Sequence, residues 1–466
     1  MVLPCAVQLN PGLEVVGAGL VQQRELTGGA ALVRVASDHT NRSRKIYMGT
    51  EQQQARSFFV QGIGHFEAGQ LGDALVCFEQ ALLLAPDRPS VMLNLGITHF
   101  RLGHWQESIP LLEQVAAAEP DQPNTWSCLG LAYEALGQWQ PAVDSLTKAL
   151  SLTPDDARLH LTRGRCRLRL NSVNLAVQDF DHAVAADPAS PMAWSERGSL
   201  LRELNRLEEA AICFEKALAL GADPDLHDYY LASVRGTGAP VAPPRRYVEA
   251  LFDDYAPDFQ SHLVDLLQYQ AHESLVHPLI EAEQRYAIVL DLGCGSGLCG
   301  PLIRPLADSI VGVDVSRAML EQARQRGVYR ELVHDDLVGF LSGATLRPNL
   351  ILAADVFIYV GDLSGVFESV RRILDPSGCF AFTVERAANG QEMQLLPSLR
   401  YAHSESYVRQ LAQHHGFSVR QIFAAPLRHD QSQPVKGLYV YLERLPDRPT
   451  SGFPPRTQRA ASPLGN

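Results

Sequence analysis

Residues 289–300 read VLDLGCGSGLCG. An apolar run carries Asp291 near its end, and Gly293, Gly295, Gly297 and Gly300 follow at close spacing. Glycines let bare backbone approach a ligand, and a loop of this kind that opens a helix points N–H groups at whatever sits on it. The run Gly295-Ser-Gly297-Leu-Cys-Gly300 also fits the dinucleotide pattern G-x-G-x-x-G, which is weak evidence outside its structural context. Asp314 ends a second apolar run, 23 residues after Asp291, where a carboxylate can accept from both hydroxyls of a ribose. Asp335 and Asp336 follow a third run, where a carboxylate can accept from an adenine amino group. Each of Asp314, Asp335 and Asp336 has a plainer role open to it, as cap of the next helix. Cys294 and Cys299 read as small residues of a tight loop, since no neighbouring base marks a reactive thiol.

The elements that must hold these residues alternate. YAIVLDL (286–292), IVGVDV (310–315), ELVHDDL (331–337), NLILAADVFIYV (349–360) and GCFAFTVE (378–385) read as strands. Helical stretches such as 316–327 and 363–376 separate them, which predicts a parallel sheet covered on both faces. The segments 417–428 and 435–444 are joined without room for a helix and read as a hairpin adding an antiparallel edge. A lead-in of one or two amphipathic helices places Leu251, Tyr255, Phe259, His262 and Leu266 near one face. A glycine-rich loop between the first strand and the first helix is the context that promotes the motif to a site, because ligands bind beyond the carboxyl ends of such strands.

Together DLGCGSG, GVDVS, HDDL and AADVFIY resemble the seven-strand class of S-adenosylmethionine-dependent methyltransferases, over roughly residues 246–445. The resemblance implies S-adenosylmethionine as cofactor. Gly293, Cys294, Gly295 and Gly297 would lie against its methionine part, and Asp291 would anchor the amino group. Asp314 would hold the ribose, Val315 and Met319 would face the adenine, and Asp335, Asp336 and Leu337 would flank it, with Asp336 on the amino group. Ala354 would line the site after the fourth strand, and Tyr255, in FDDYAPDF, resembles the aromatic of a lid helix. Substrate-side candidates follow strands four and five: Asp355, Tyr359, Glu385, Arg386, Tyr401, His403 and Tyr407. Of these, Tyr359 and His403 are the catalytic candidates; His403 has the best intrinsic pKa for a base. No NPPY-like run follows the fourth strand, and no metal ligands are apparent. A dinucleotide enzyme would need room for a second nucleotide and a further catalytic domain, which fits the chain less well.

Before this region the sequence repeats itself. Pro86, Pro120, Pro154 and Pro188 are 34 residues apart, as are Gly62, Gly96, Gly130, Gly164 and Gly198. Ala74, Ser108, Ala142, Ala176 and Ala210 share the lattice, with Phe78, Leu112, Leu146, Phe180 and Phe214, and with Ala81, Val115, Ala149, Ala183 and Ala217. Each unit resembles a tetratricopeptide repeat, five of them over 55–224, which predicts stacked helical hairpins and a groove for a protein or peptide partner. Arg158, Arg165 and Arg169 fall near one stripe of the fourth unit, either a site for an acidic segment or a solvated face. The expected fold is thus two-part: an all-α solenoid, then a doubly wound, mostly parallel seven-stranded sheet with an antiparallel C-terminal hairpin. The expected organisation is an extension of no regular structure at 1–47, repeats at 48–228, a Gly/Pro-rich linker at 229–245, the α/β domain at 246–445 and a disordered tail at 446–466. Translation starting at Met48 is the other reading of the extension.

Bulk composition bounds the rest. A formal charge of −12 argues against a nucleic-acid partner. Eight scattered cysteines without C-x-x-C spacing suit reduced thiols in the cytoplasm. No apolar stretch predicts a membrane helix, and the N-terminus, with Glu14 in its apolar part, does not read as a signal peptide. Three functions stay open: methyl transfer to a protein or carrier-bound substrate recruited by the repeats, methyl transfer to a small molecule with the repeats used for assembly, and an adaptor with a vestigial catalytic fold. The acceptor is not written in any motif.

Overall fold

The computed structural model describes residues 45–256, 269–388, 390–430 and 433–446; the expected N-terminal extension and tail fall almost wholly outside them. Two compact units divide the chain: residues up to Gly238 with Pro397–Leu399, and Ala239–Leu396 with the remainder.

Among the described residues up to Arg235 the first unit is built of helices joined by short turns. Its hairpins are α1 (Lys45–Glu67) with α2 (Leu71–Leu84), α3 (Pro89–Arg101) with α4 (Trp105–Ala118), α5 (Pro123–Ala135) with α6 (Trp139–Leu152), α7 (Ala157–Arg169) with α8 (Val173–Ala186), and α9 (Pro191–Glu203) with α10 (Leu207–Ala219). A last helix, α11 (Pro224–Arg235), is capped by Asp223 and stopped by Gly236 in the left-handed region. The repeat lattice is a packing rule. A Cβ on Gly62, Gly96, Gly130, Gly164 or Gly198 would stand 2.5–2.9 Å from Phe78, Leu112, Leu146, Phe180 or Phe214 respectively. The two helices of each pair therefore touch where one has no side chain. Ser108 replaces alanine in the second unit because its hydroxyl donates to the Gly96 carbonyl at 2.7 Å, leaving no buried orphan. The turn inside each hairpin needs positive φ, supplied by Gly69, Gly103 and Gly137 and then by Asn171 (φ 56°) and Asn205 (φ 57°). Those turn positions are also 34 apart and form a further column of the lattice. The three arginines of α7 do not make a uniform basic stripe. Arg158 is exposed. Arg165 lies 3.5 Å from both Glu134 and Glu196, and Arg169 sits over the Trp139 ring.

The second unit begins with α12 (Arg245–Tyr255) and α13 (Ala271–Glu281) and continues as β1 (Tyr286–Leu292), α14 (Cys299–Ile303), β2 (Ala307–Asp314), α15 (Arg317–Gln325), β3 (Glu331–His334), α16 (Leu337–Gly343), β4 (Leu350–Ala353), α17 (Ser364–Ile373) and β5 (Cys379–Arg386). Then come β6 (Met393–Leu395), β7 (Tyr401–His403), α18 (Glu405–His414), β8 (Phe417–Asp430) and β9 (Gln433–Arg444). Strands β3-β2-β1-β4-β5 are parallel neighbours in that order. β9 runs antiparallel against β5 and β8 against β9, which completes seven strands. Both faces of β1, β4 and β5 are buried, in two clusters, one holding Leu290, Ile351, Phe380 and Phe382 and the other Val289, Leu350, Leu352 and Ala381. That two-sided burial is why these strands read as continuous apolar runs rather than alternating ones.

Three details depart from the sequence reading. The short pair β6–β7 extends the sheet to nine strands by setting β7 parallel to the last residues of β5, Glu385 and Arg386. β4 stops at Ala353; Asp355 then takes φ 59° and Phe357–Tyr359 form a 3-10 turn, so the expected strand over 349–360 is mostly a turn. β3 ends at His334 because Asp336 already caps α16. Of the expected linker 229–245, residues 229–235 belong to α11 and Arg245 opens α12. The stretch 236–244 between them has no regular structure, yet it is held: the Val241 carbonyl accepts from Gly361 N at 2.8 Å, and the Pro240 carbonyl accepts from the Tyr401 hydroxyl at 2.7 Å. Among the described residues no helix is long and apolar enough to cross a membrane.

Candidate functional site

The carboxyl ends of β1, β2 and β3 lie side by side, so the residues that follow them converge. Gly293, Gly295 and Gly297 all have positive φ, 61°, 53° and 79°. Their surroundings differ. A Cβ at Gly293 would strike Val356 Cγ2 at 2.5 Å, and one at Gly297 would strike Tyr329 at 2.9 Å. At Gly295 a Cβ would meet no heavy atom within 4 Å. The middle of the loop therefore faces open space while its two ends are packed, which is the shape of a cradle.

Asp314 holds that cradle. Its Oδ2 accepts from Gly295 N at 2.8 Å and its Oδ1 from Ser316 N at 2.9 Å. The helix-cap alternative for Asp314 is taken by Ser316, whose hydroxyl accepts from Met319 N. A carboxylate offers about four acceptor positions, so Asp314 keeps capacity for a diol after binding two N–H groups. Burial raises its pKa. Asp291 is 2% exposed and accepts from the Tyr329 hydroxyl at 2.7 Å. Burial pushes Asp291 up to about 7, with the Asp314 charge adding to the rise and the tyrosine opposing it. Cys294 and Cys299 are buried and their thiols are pushed well above the usual range, first by burial and then by the neighbouring aspartates. They stay protonated and are not nucleophiles.

After β3, Asp336 takes the helix-cap role that was open to it. Asp336 caps α16 through Gly339 N at 2.8 Å and pairs through its other oxygen with Arg245 of α12 at 2.9 Å. Each of its oxygens thus has one partner, and the carboxylate keeps acceptor capacity as Asp314 does. Asp335 ties the β3 end to β2, its N–H donating to the Asp314 carbonyl at 3.1 Å. Val315 gives its carbonyl to His334 Nε2 at 2.8 Å. Met319 is fully buried against Ala256, Phe252 and Leu298, where α12 crosses α15. Leu337 and Ala354 are partly buried at the edges of the two cores. The side chain of Tyr255 lies outside the described residues. α12 itself is placed, and residues that sequence reasoning passed over place it: Asp253 accepts from the Ser316 hydroxyl at 2.5 Å, Glu249 lies 3.6 Å from His334, and Phe252 meets the Tyr359 ring edge-on at 5.3 Å. The segment FDDY held that signal, with Asp253 one helical turn after Glu249 and Phe252 two turns after Arg245.

The ends of β4 and β5 carry a second set. Arg428 of β8, 2% exposed on its side chain, binds both oxygens of Asp355 (2.9 and 2.8 Å) and Glu385 Oε2 (3.1 Å). Arg400 hydrogen-bonds Tyr359 and faces Glu385 and Asp355. Burial raises the pKa of Glu385. Asp355, Tyr359 and Glu385 are brought together here. His403 is not. It is fully buried on β7, its Nε2 is 2.7 Å from the Gly361 carbonyl, and its ring stacks on Tyr407. Burial pushes it down to about 4, so it is a neutral core histidine near pH 7; Ser404 caps the following helix. Tyr401 bonds Pro240, and Tyr407 bonds Leu363 and Asp362, so both are structural. Neither arginine was singled out in the sequence: Arg400 directly precedes the candidate Tyr401, and Arg428 lies in the closing hairpin and reaches the site only through sheet closure.

A family model described as a methyltransferase domain matches residues 263–422, and tetratricopeptide-repeat models match 65–130, 129–191 and 167–226. A malonyl-[acyl-carrier protein] O-methyltransferase of Legionella pneumophila is 36% identical over 130 residues, 26% of this chain and 44% of that protein. A dimethylglycine N-methyltransferase of Parasynechococcus marenigrum is 30% identical over 135 residues, 27% of this chain and 48% of that protein. A trans-aconitate 2-methyltransferase of Acidovorax sp. is 28% identical over 152 residues, 32% of this chain and 54% of that protein. The chain thus spans about half the length of the curated relatives it matches. It joins tetratricopeptide repeats to a methyltransferase domain of the S-adenosylmethionine-dependent class.

Proposed function

We propose that the protein transfers a methyl group from S-adenosylmethionine to a carboxylate on a carrier-bound or protein substrate that the repeats recruit. The observation that carries the donor half is the cradle at Gly295, open where a Cβ would go and tied by its own N–H to Asp314. Bound there, S-adenosylmethionine supplies a methyl group activated on a sulfonium. Asp291, Gly293, Cys294, Gly295 and Gly297 would face its amino-acid end. Asp314 would take the ribose hydroxyls, and Val315, Met319 and the Asp335–Leu337 turn would border the base. α12 packs over this side through Ser316, Met319 and Tyr359 and would keep water from a bound donor, which matters because alignment in a dry pocket supplies most of the rate in such a transfer.

The acceptor half rests on which groups are already committed. Asp355 and Glu385 are bound by Arg428, and His403 is bound to Gly361 and pushed down to about 4. An alcohol or ammonium acceptor needs a base to take its proton, whereas a carboxylate has none to lose. Malonyl and trans-aconitate, named for two of the relatives, both carry carboxylates. Tyr359, beside Arg400 and under Phe252, would orient the acceptor. The carrier named for the Legionella relative favours recruitment by the repeats, while the free acids named for other relatives favour a second reading, a small-molecule enzyme whose repeats serve assembly.

The test uses the full chain with methyl-labelled donor and one dicarboxylic acid offered free or as a thioester on a carrier protein. Faster labelling of the carrier-bound form, reduced when exposed Arg158 is changed to Glu, supports recruitment. Equal labelling of both forms, unaltered by Arg158→Glu, supports the small-molecule enzyme.

A further inference from the structure

We propose that Tyr329 is a positioning residue of the donor site, a wedge that shapes the glycine loop and orients Asp291. The proposal rests on the donor reading above and adds a residue to it. Tyr329 follows α15, in no motif, 38 positions from Asp291.

Its ring is surrounded by missing side chains. A Cβ on Gly297, Gly300 or Gly312 would come within 2.9, 2.8 or 3.0 Å of it. These glycines belong to three elements: the loop, α14 and β2. Three separate positions lack a side chain around one aromatic ring, and its hydroxyl emerges on Asp291 Oδ2 at 2.7 Å. Gly300 completes the G-x-G-x-x-G spacing, yet its bare face meets a tyrosine of the same chain and not a pyrophosphate. The third glycine of the motif is therefore explained by packing.

Two consequences follow for the donor. The ring fills the space behind the loop, so Gly297 cannot fall back and the open face at Gly295 keeps its curvature. The hydroxyl donates to Asp291 and so favours its charged form and fixes one carboxylate oxygen, leaving the other for a donor ammonium. Asp291 otherwise faces Asp314, Cys294 and Cys299, none of which offers it a positive charge.

The test is donor affinity of the full chain by calorimetry, from pH 5.5 to 8.5, for wild type, Tyr329→Phe, Tyr329→Leu and, as a core control, Ile303→Val. Tyr329→Phe keeps the wedge and removes the hydroxyl. It should weaken S-adenosylmethionine binding about fivefold at pH 8, the worth of one hydrogen bond. The loss should grow as pH falls, with the midpoint of the binding profile moved upward, because the carboxylate loses a donor that stabilised its charge. Tyr329→Leu should weaken binding further at every pH, and Ile303→Val should leave the midpoint in place. A Tyr329→Phe protein with wild-type affinity overturns the proposal. So does one weakened uniformly with no change of midpoint, since that is what a merely structural tyrosine gives. Absence of donor binding by the wild type overturns the donor site itself and the proposal with it.

Discussion

Alanine at Gly293 and at Gly295 should separate stability from binding, two residues apart in one loop. Both positions have positive φ, so each alanine costs about 1–2 kcal/mol for the left-handed backbone. At Gly295 that is the whole cost, because the new methyl meets nothing within 4 Å. At Gly293 the methyl arrives 2.5 Å from Val356 Cγ2, 2.9 Å from Cγ1 and 3.3 Å from Cβ. Val356 cannot yield by rotating, since both γ-carbons and the β-carbon are in the way, so about 1–3 kcal/mol of overpacking is added. The expected loss is thus about 1–2 kcal/mol for Gly295→Ala and about 2–5 kcal/mol for Gly293→Ala. Binding should rank the other way. The Gly295 methyl intrudes where the donor must lie, and S-adenosylmethionine affinity should fall by at least about thirtyfold, some 2 kcal/mol. The molecule provides its own control. All four tryptophans, Trp105, Trp126, Trp139 and Trp194, lie in the repeats, so tryptophan emission reports that unit alone. Hydrogen exchange of β1 and β4 amides reports the second unit. Gly293→Ala should accelerate that exchange and leave the tryptophan transition in place, and adding Val356→Ala should restore most of the loss. Gly295→Ala with wild-type donor affinity would refute the assignment of the open face to the donor. An equally destabilised pair would refute the distinction between packed and open glycines.

Other outcomes follow from single groups. His403 is neutral in the fold with its pKa pushed down to about 4 from 6.5, so the unfolded chain takes up a proton that the fold refuses. Its contribution is intact above about pH 6.5 and is lost as pH falls toward 4, about 3 kcal/mol in all; His403→Gln should flatten that part of the acid limb of the second unit's exchange profile. Asp179 is 1% exposed and bound by Arg163 and Arg167 at 2.6 and 2.7 Å. Asp179→Ala should destabilise the repeats by about 3–5 kcal/mol, read as an earlier tryptophan transition, because two cations lose their partner. Arg428→Met removes the cation shared by Asp355 and Glu385. Donor affinity should stay within about twofold while turnover falls more than tenfold, as measured by label transfer at saturating donor.

What the sequence made legible was whatever repeats or sits next in the chain. The 34-residue lattice is visible because each unit buries the same contact, glycine against a large side chain one helix away. The glycine loop is visible because a strand end, a turn and a helix start are contiguous. The strands of the parallel sheet are visible because both their faces are apolar, although β4 was read too long: the strand ends where Asp355 turns left-handed, and the apolar Val356–Val360 continue as a packed turn. What stayed hidden depends on closure of the sheet. Arg428 reaches Asp355 across 73 residues and Tyr329 reaches Asp291 across 38, and no local pattern encodes either meeting. His403 misled for the opposite reason. Its type suggests a base, but β7 turns it into the core, and burial decides its chemistry.

The ring of Tyr329 and the three glycines around it amount to one lock distributed over four positions. Such a lock leaves a statistical trace among related chains: positions 300 and 329 should vary together. Where a relative carries a small residue at 329, alanine or serine becomes admissible at 300, while 312 stays glycine because a Cβ there would still meet Leu332 and Cys294; where the tyrosine is kept all three glycines should be kept with it. A motif search that treats Gly300 as part of a ligand pattern would then miss relatives that bind the same donor with a differently filled loop.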